Sequence, residues 1–124
     1  RVRKMKREVL GAWGESMAAR YYRKRGYSLL DARYRTRFGE IDLVAEKGDL
    51  IVFVEVKTRS SSRHAEPREA VTREKQRRLI YAAQSFIQQN DLGDCPMRFD
   101  VVEVIPDETG NAQVACFENA FSVE

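Results

Sequence analysis

The chain has one histidine, His64, and two cysteines, Cys95 and Cys116, which stand far apart and without metal-ligand spacing. A histidine-rich metal centre is therefore excluded. A serine–histidine–aspartate triad would have to use His64 on a soft polar loop. The two scattered thiols point to a reducing compartment and to structural roles for both. No glycine-rich phosphate loop, internal repeat or linker interrupts the 124 residues, so one domain, 1–124, is expected, with 1–7 as a basic arm. The longest apolar run, Leu50 to Val54, is far too short to cross a membrane. The basic N-terminal residues lead into no apolar signal segment, so a cytoplasmic protein without a membrane partner is expected. Lysine and arginine are absent after Arg98.

That last absence polarises the charge. The chain is 33% charged and 43% hydrophobic, as a globular protein should be, and its formal net charge is only +3. Yet residues 99–124 hold six acidic side chains, so the first 98 carry 22 basic against 13 acidic, a net of +9. The asymmetry fits a polyanion partner such as nucleic acid. Solvated helix faces rich in arginine and lysine are the plainer alternative.

The informative stretch is Gly39 to Arg59. It reads as two strands, Gly39–Glu46 and Leu50–Thr58, around a turn at Lys47-Gly48-Asp49. Side chains two apart share a face. In the second strand Ile51, Phe53, Glu55 and Lys57 point one way and Leu50, Val52, Val54 and Val56 the other. Both faces begin apolar, which suggests burial on both sides. One face then turns ionic. In the first strand Glu40, Asp42 and Val44 share a face opposite Ile41, Leu43 and Ala45. A hairpin would bring Asp42 beside Glu55. Buried carboxylates cost several kcal/mol unless paired or metal-bound. An all-oxygen pair suits magnesium or manganese, which bind substrate phosphate and activate water. Lys57 could orient that water or neutralise developing charge. The competing reading is an ion pair at a strand end, Glu55 with Lys57 or Asp42 with Arg59.

The remaining elements frame this pair. Glu8–Arg25 reads as a helix whose core face is Leu10, Trp13, Met17 and Tyr21, with Gly14 and Ala18 among them to allow close packing on a sheet. Glu15 lies on its small-residue flank, facing either the carboxylates or a partner such as Arg20. Tyr27–Tyr34 reads as a strand, followed by a basic turn. Arg33, Arg35 and Arg37 alternate and would share a face, contacting phosphates or guarding an edge. Ser60–Glu66, which includes Arg63, is a polar loop beside the candidate site. Thr72 caps a second helix, Arg73–Asn90, whose apolar face is Leu79, Ala82, Ala83, Phe86 and Ile87. Continued backwards, that face reaches Lys75, Gln76 and Thr72, while Arg77 and Arg78 lie off it, free to touch phosphate. Met97–Ile105 reads as an internal strand. Ala112–Phe117 reads as a short edge strand, with a tail that forms one helical turn. The order predicts a three-layer α/β (α+β) domain with a central mixed sheet between helices.

The order α-β-β-β-α-β, with Asp42 and then Glu55-Val56-Lys57, resembles the PD-(D/E)xK nuclease fold of restriction endonucleases and archaeal Holliday junction resolvases. More narrowly, the chain is similar to the bacterial YraN family of uncharacterised, endonuclease-like proteins. The likeness rests on Gly14-Glu15 with Ala18-Ala19, Phe38-Gly39-Glu40-Ile41-Asp42-Leu43, Val52 to Arg59, Glu69-Ala70-Val71 with Lys75-Gln76, and Arg98 to Val102. Ile41 stands where the broad motif has proline. The resemblance implies a Mg²⁺- or Mn²⁺-dependent endonuclease acting on structured or branched DNA. Asp42 and Glu55 would hold the metal, Glu15 would be an auxiliary ligand, Lys57 would position the water, and Gln76 or Lys75 would assist from the second helix. Arg35, Arg37, Arg59, Arg63, Lys75 and Arg77 are the candidates for DNA contact. Similar resolvases act as dimers, so a homodimer is compatible with the resemblance. The alternative is a non-catalytic nucleic-acid-binding protein on a nuclease scaffold. A protein-interaction module is a third reading.

Overall fold

The computed structural model describes residues 7–59 and 71–122. Its elements run α1 (Arg7–Lys24), β1 (Ser28–Arg35), β2 (Glu40–Lys47), β3 (Leu50–Thr58), α2 (Arg73–Gln89), β4 (Met97–Pro106) and β5 (Ala112–Phe121). The strands form one sheet in the order β1-β2-β3-β4-β5, antiparallel except for the parallel β3–β4 pair. Parallel neighbours need a long crossover, and α2 supplies it. The loop 60–66, with Arg63 and His64, and most of the basic arm lie outside the described residues. No helix among the described residues is long and apolar enough to cross a membrane.

The two faces of β3 decide the layering. Ile51 and Phe53 pack with Leu79, Ala82, Ala83 and Phe86 of α2. Val52 and Val54 pack with Ala18, Ala19 and Tyr22 of α1. The result is an α+β domain with a five-stranded mixed sheet between two helices. Val44 follows the expected alternation of β2, and so do Leu43 and Ala45. Ile41 does not: it joins Tyr34, its cross-strand partner, on the α2 side.

Helix α1 corrects the sequence expectation. Its buried line is Gly14, Ala18, Ala19 and Tyr22, whereas Trp13, Met17 and Tyr21 stand at the half-buried border. Small residues take the centre because they let the helix approach the sheet. A Cβ on Gly14 would overlap the side chain of Thr58, reaching 2.9 Å from its Cβ. Gly14→Val should therefore force α1 off the end of β3 and cost about 1–3 kcal/mol by overpacking. A lowered urea midpoint would register this, and an unchanged one would show that α1 has slack there.

On the α1 side a buried polar network ties three elements together. Asp100, only 1% exposed, accepts the Tyr22 hydroxyl at 2.7 Å, the backbone N–H of Asn119 at 3.0 Å, and two Arg98 N–H groups at 2.8 and 2.9 Å. Arg98 also donates to the Tyr27 hydroxyl at 3.2 Å. Burial and the adjacent Asp100 push the Tyr22 phenol far up. Cys116 lies 3.5 Å from the Tyr22 oxygen, and burial raises its thiol as well. Both cysteines are free. The network also overturns the expected helical tail. An irregularity opposite Asp100 carries the Asn119 N–H inward, and β5 then resumes to pair Phe121 with Phe99. Those two rings stack at 4.8 Å.

Candidate active site at the end of the central strands

Lys47 pairs with Leu50 across a two-residue turn, which sets the register of the β2–β3 hairpin. Leu43 lies opposite Val54, so one step further Asp42 lies beside Glu55. Asp42 Oδ2 accepts the backbone N–H of Val56 at 2.7 Å. Burial first, and the neighbouring Glu55 second, push the Asp42 carboxyl up to about 8. Both causes favour its protonated form. The Glu55 side chain is 7% exposed and meets two ammonium groups, Lys75 Nζ at 2.5 Å and Lys57 Nζ at 3.3 Å. Burial and the adjacent Lys75 hold the Lys57 ammonium below the usual lysine range. Burial also opposes the charge of Lys75, but its bonds to Glu55 and Lys57 outweigh it, so that group is raised.

Asp42, Glu55 and Lys75 line a cleft of about 490 Å³ between the sheet end, the first turn of α2 and the Phe38-Gly39 turn. Thr72 caps α2 by accepting the Lys75 N–H at 3.2 Å. Lys75 stands one turn before the buried Leu79, so the packed face of the helix, continued backwards, ends on Glu55. Gln76 is not among the residues that line the cleft. Its amide donates to the Val71 carbonyl at 2.9 Å, one helix position away from the cleft.

The other expected site residues divide. Glu15 Oε1 accepts from Arg33 Nε at 2.8 Å rather than from Arg20. It still stands near enough for its charge to help raise Asp42. Arg33 has φ 55, which breaks the strand alternation. Arg33 consequently reaches α1, while Arg35 and Arg37 line a groove beside α2, so the three arginines do not share a face. Arg77 lines the same groove. Arg35 is paired with Glu40 at 2.8 Å. Arg59 is held by Glu103 at 2.6 Å, not by Asp42. Glu103 is 2% exposed, yet it was not singled out in the sequence. Its signal is an acidic residue on the otherwise apolar face Phe99, Val101, Ile105, and the β3–β4 register sets it beside Lys57. Arg63 lies outside the described residues.

Among the described residues no three histidine, cysteine, aspartate or glutamate side chains gather as a ready-made metal cage. The Asp42–Glu55 pair nonetheless fits a hard dication. Its donors are all oxygen, and a proton on Asp42 is one that a cation would displace.

Residues 14–104 match the model of a family described as uncharacterised protein family UPF0102. A UPF0102 protein of Syntrophomonas wolfei is 47% identical over 117 residues, covering 94% of this chain and all of the relative. One of Syntrophotalea carbinolica is 43% identical over 93% of each chain. One of Rhodococcus opacus is 41% identical over 91% of this chain and 96% of its own.

Proposed function

Because the chain belongs to the UPF0102 family, the YraN-like group, whose description assigns no activity, its function must be argued from its own residues, and we propose a metal-dependent endonuclease that hydrolyses phosphodiester bonds of structured or branched DNA. One observation carries the reading: two adjoining carboxyls, Asp42 and Glu55, line an open cleft with Lys75, and Lys57 reaches Glu55 beside it. A stable core has no need of a carboxyl pushed toward its protonated form by another. A site that captures a cation does.

Asp42 and Glu55 would hold Mg²⁺ or Mn²⁺, which supplies charge stabilisation of the transferring phosphoryl group. Glu15 would join them with one carboxylate oxygen already held by Arg33. Lys57 Nζ, held beside Glu55, would position the attacking water or offset the developing charge. Lys75 anchors Glu55 and keeps positive charge where the scissile phosphate would lie. Arg59, fixed by Glu103, adds a second cation on the same side.

One fact favours the other reading, a DNA-binding protein without catalysis. Glu55 already has two ammonium partners, so the site is neutralised without metal. The test is cleavage of four-way junction, flap and linear DNA with Mg²⁺ or Mn²⁺, comparing the native chain with Asp42→Ala and Lys57→Ala. The nuclease reading expects a metal-dependent product that each variant loses by about a hundredfold or more. Binding without any such product would establish the alternative.

A further inference from the structure

Next to the carboxylate cleft lies a second groove of about 870 Å³, and the two share the Phe38-Gly39 turn, Glu74 and Arg78. Two large aromatic side chains stand open in it. Phe38 is 58% and Tyr81 59% exposed, their ring centroids 5.7 Å apart. Exposed aromatics adjacent in space but far apart in sequence are uncommon on a surface that has a sheet and two helices to bury them. Here they are held in place. Thr36 Oγ1 accepts the N–H groups of Phe38 and Gly39 at 3.1 and 3.0 Å. Gly39 sits so close to α2 that a Cβ there would lie 2.9 Å from the Arg78 carbonyl oxygen. The turn carrying Phe38 is thus clamped to the helix carrying Tyr81.

The charge around the rings identifies the occupant. Arg35 and Arg78 are neutralised by Glu40 and Glu74. Arg37 and Arg77 form no ion pair among the described residues. Arg37 instead lies 5.6 Å over the Phe38 ring. Two exposed aromatic rings beside two guanidinium groups without an ion pair among the described residues match a strand whose bases are unpaired. Its phosphates satisfy the arginines, and its bases stack on the rings. In a duplex the base faces are covered and the rings would find nothing to stack on. We infer that Phe38 and Tyr81 form a stacking platform for unpaired nucleotides, feeding a single-stranded arm of the substrate toward Asp42 and Glu55. The inference rests on the nuclease reading for its direction, but the platform has its own readout.

Binding is measured by fluorescence anisotropy in EDTA, with a short oligodeoxythymidine and a blunt duplex of similar charge as probes. Phe38→Ala with Tyr81→Ala should weaken oligodeoxythymidine binding about tenfold or more and leave duplex binding within about twofold. Both side chains are largely exposed, so the core is kept, and an unchanged melting temperature checks this. Phe38→Trp should bind as the native chain does, with its added indole fluorescence quenched by the stacked base. Equal losses for both probes, or no loss for either, would overturn the platform. So would a native dimer that the double alanine variant splits, because the rings would then serve a second copy. Cleavage separates the two claims. If the native chain cuts nothing while the double variant loses oligodeoxythymidine binding, the nuclease reading fails and the platform stands. If the native chain prefers a flap to a duplex and the double variant keeps that preference, the platform fails and the nuclease reading stands.

Discussion

Asp42→Asn is expected to stabilise the metal-free protein at alkaline pH and, on the proposed nuclease reading, to abolish cleavage. The sign follows from the proton. In the folded chain burial and Glu55 lift the Asp42 carboxyl from 3.8 to about 8. Between those values the folded state keeps a proton that the unfolded chain has released. The group's contribution is therefore full below about pH 4 and is lost as pH rises through 8. Above both values, each unit of elevation costs about 1.4 kcal/mol. An amide at this position keeps the bond to the Val56 N–H in a weaker, neutral form. About half of the penalty should be relieved, roughly 3 kcal/mol, or about 4 °C in melting temperature for each kcal/mol. The check is urea denaturation in EDTA at pH 5 and pH 9. The variant should gain on the native chain only at pH 9. Magnesium should then reverse the order, because a cation that binds only the folded native chain stabilises it by mass action. A difference independent of pH would mean that Asp42 is ionised in the fold, with its charge offset by the lysines.

The second large effect lies on the opposite side of the sheet. Asp100→Ala should destabilise the protein by roughly 3–5 kcal/mol, the cost of leaving one partner of a buried ion pair alone. Arg98 would keep its charge at 18% side-chain exposure with only the more distant Glu118 at 3.6 Å. Tyr22 and the Asn119 N–H would lose their acceptor. The loss should appear as a lower denaturation midpoint with an unchanged slope. Changing both partners, Asp100→Leu with Arg98→Met, should recover much of it, because replacing a buried ion pair by apolar residues is often neutral. If the single variant is as stable as the native chain, the network is decorative.

What the sequence disclosed depended on the range of the interaction. The two faces of β3 were legible because alternation is local, and so was the continuation of the α2 face back to Lys75 and Gln76, because helical periodicity is local too. The choice between Lys75 and Gln76 turned on a single helix position, which periodicity does not resolve. The close packing of Gly14 and Ala18 was legible, but the centre of the α1 face was set on the large side chains, when close approach to Thr58 gives it to glycine and alanine. The Glu15–Arg33 pair depends on one residue of positive φ in an edge strand. The Asp100 network joins residues from α1, β4 and β5, and no local pattern in any of them points to the other two. Glu103 could have been read in the way Glu55 was, as a charge interrupting an apolar strand face.

The parallel pairing of β3 with β4 also governs when the cleft exists during folding. β1, β2 and β3 follow one another through short turns, so Asp42 and Glu55 can meet in a simple meander. Lys75 arrives only with the helix that bridges β3 and β4, and Ile51 must find Met97 across its whole length. Pairings of such separation form late. A nascent chain should thus hold its two acids together before its helical lysine reaches them, and complete the cleft only when the last half of the sheet has closed.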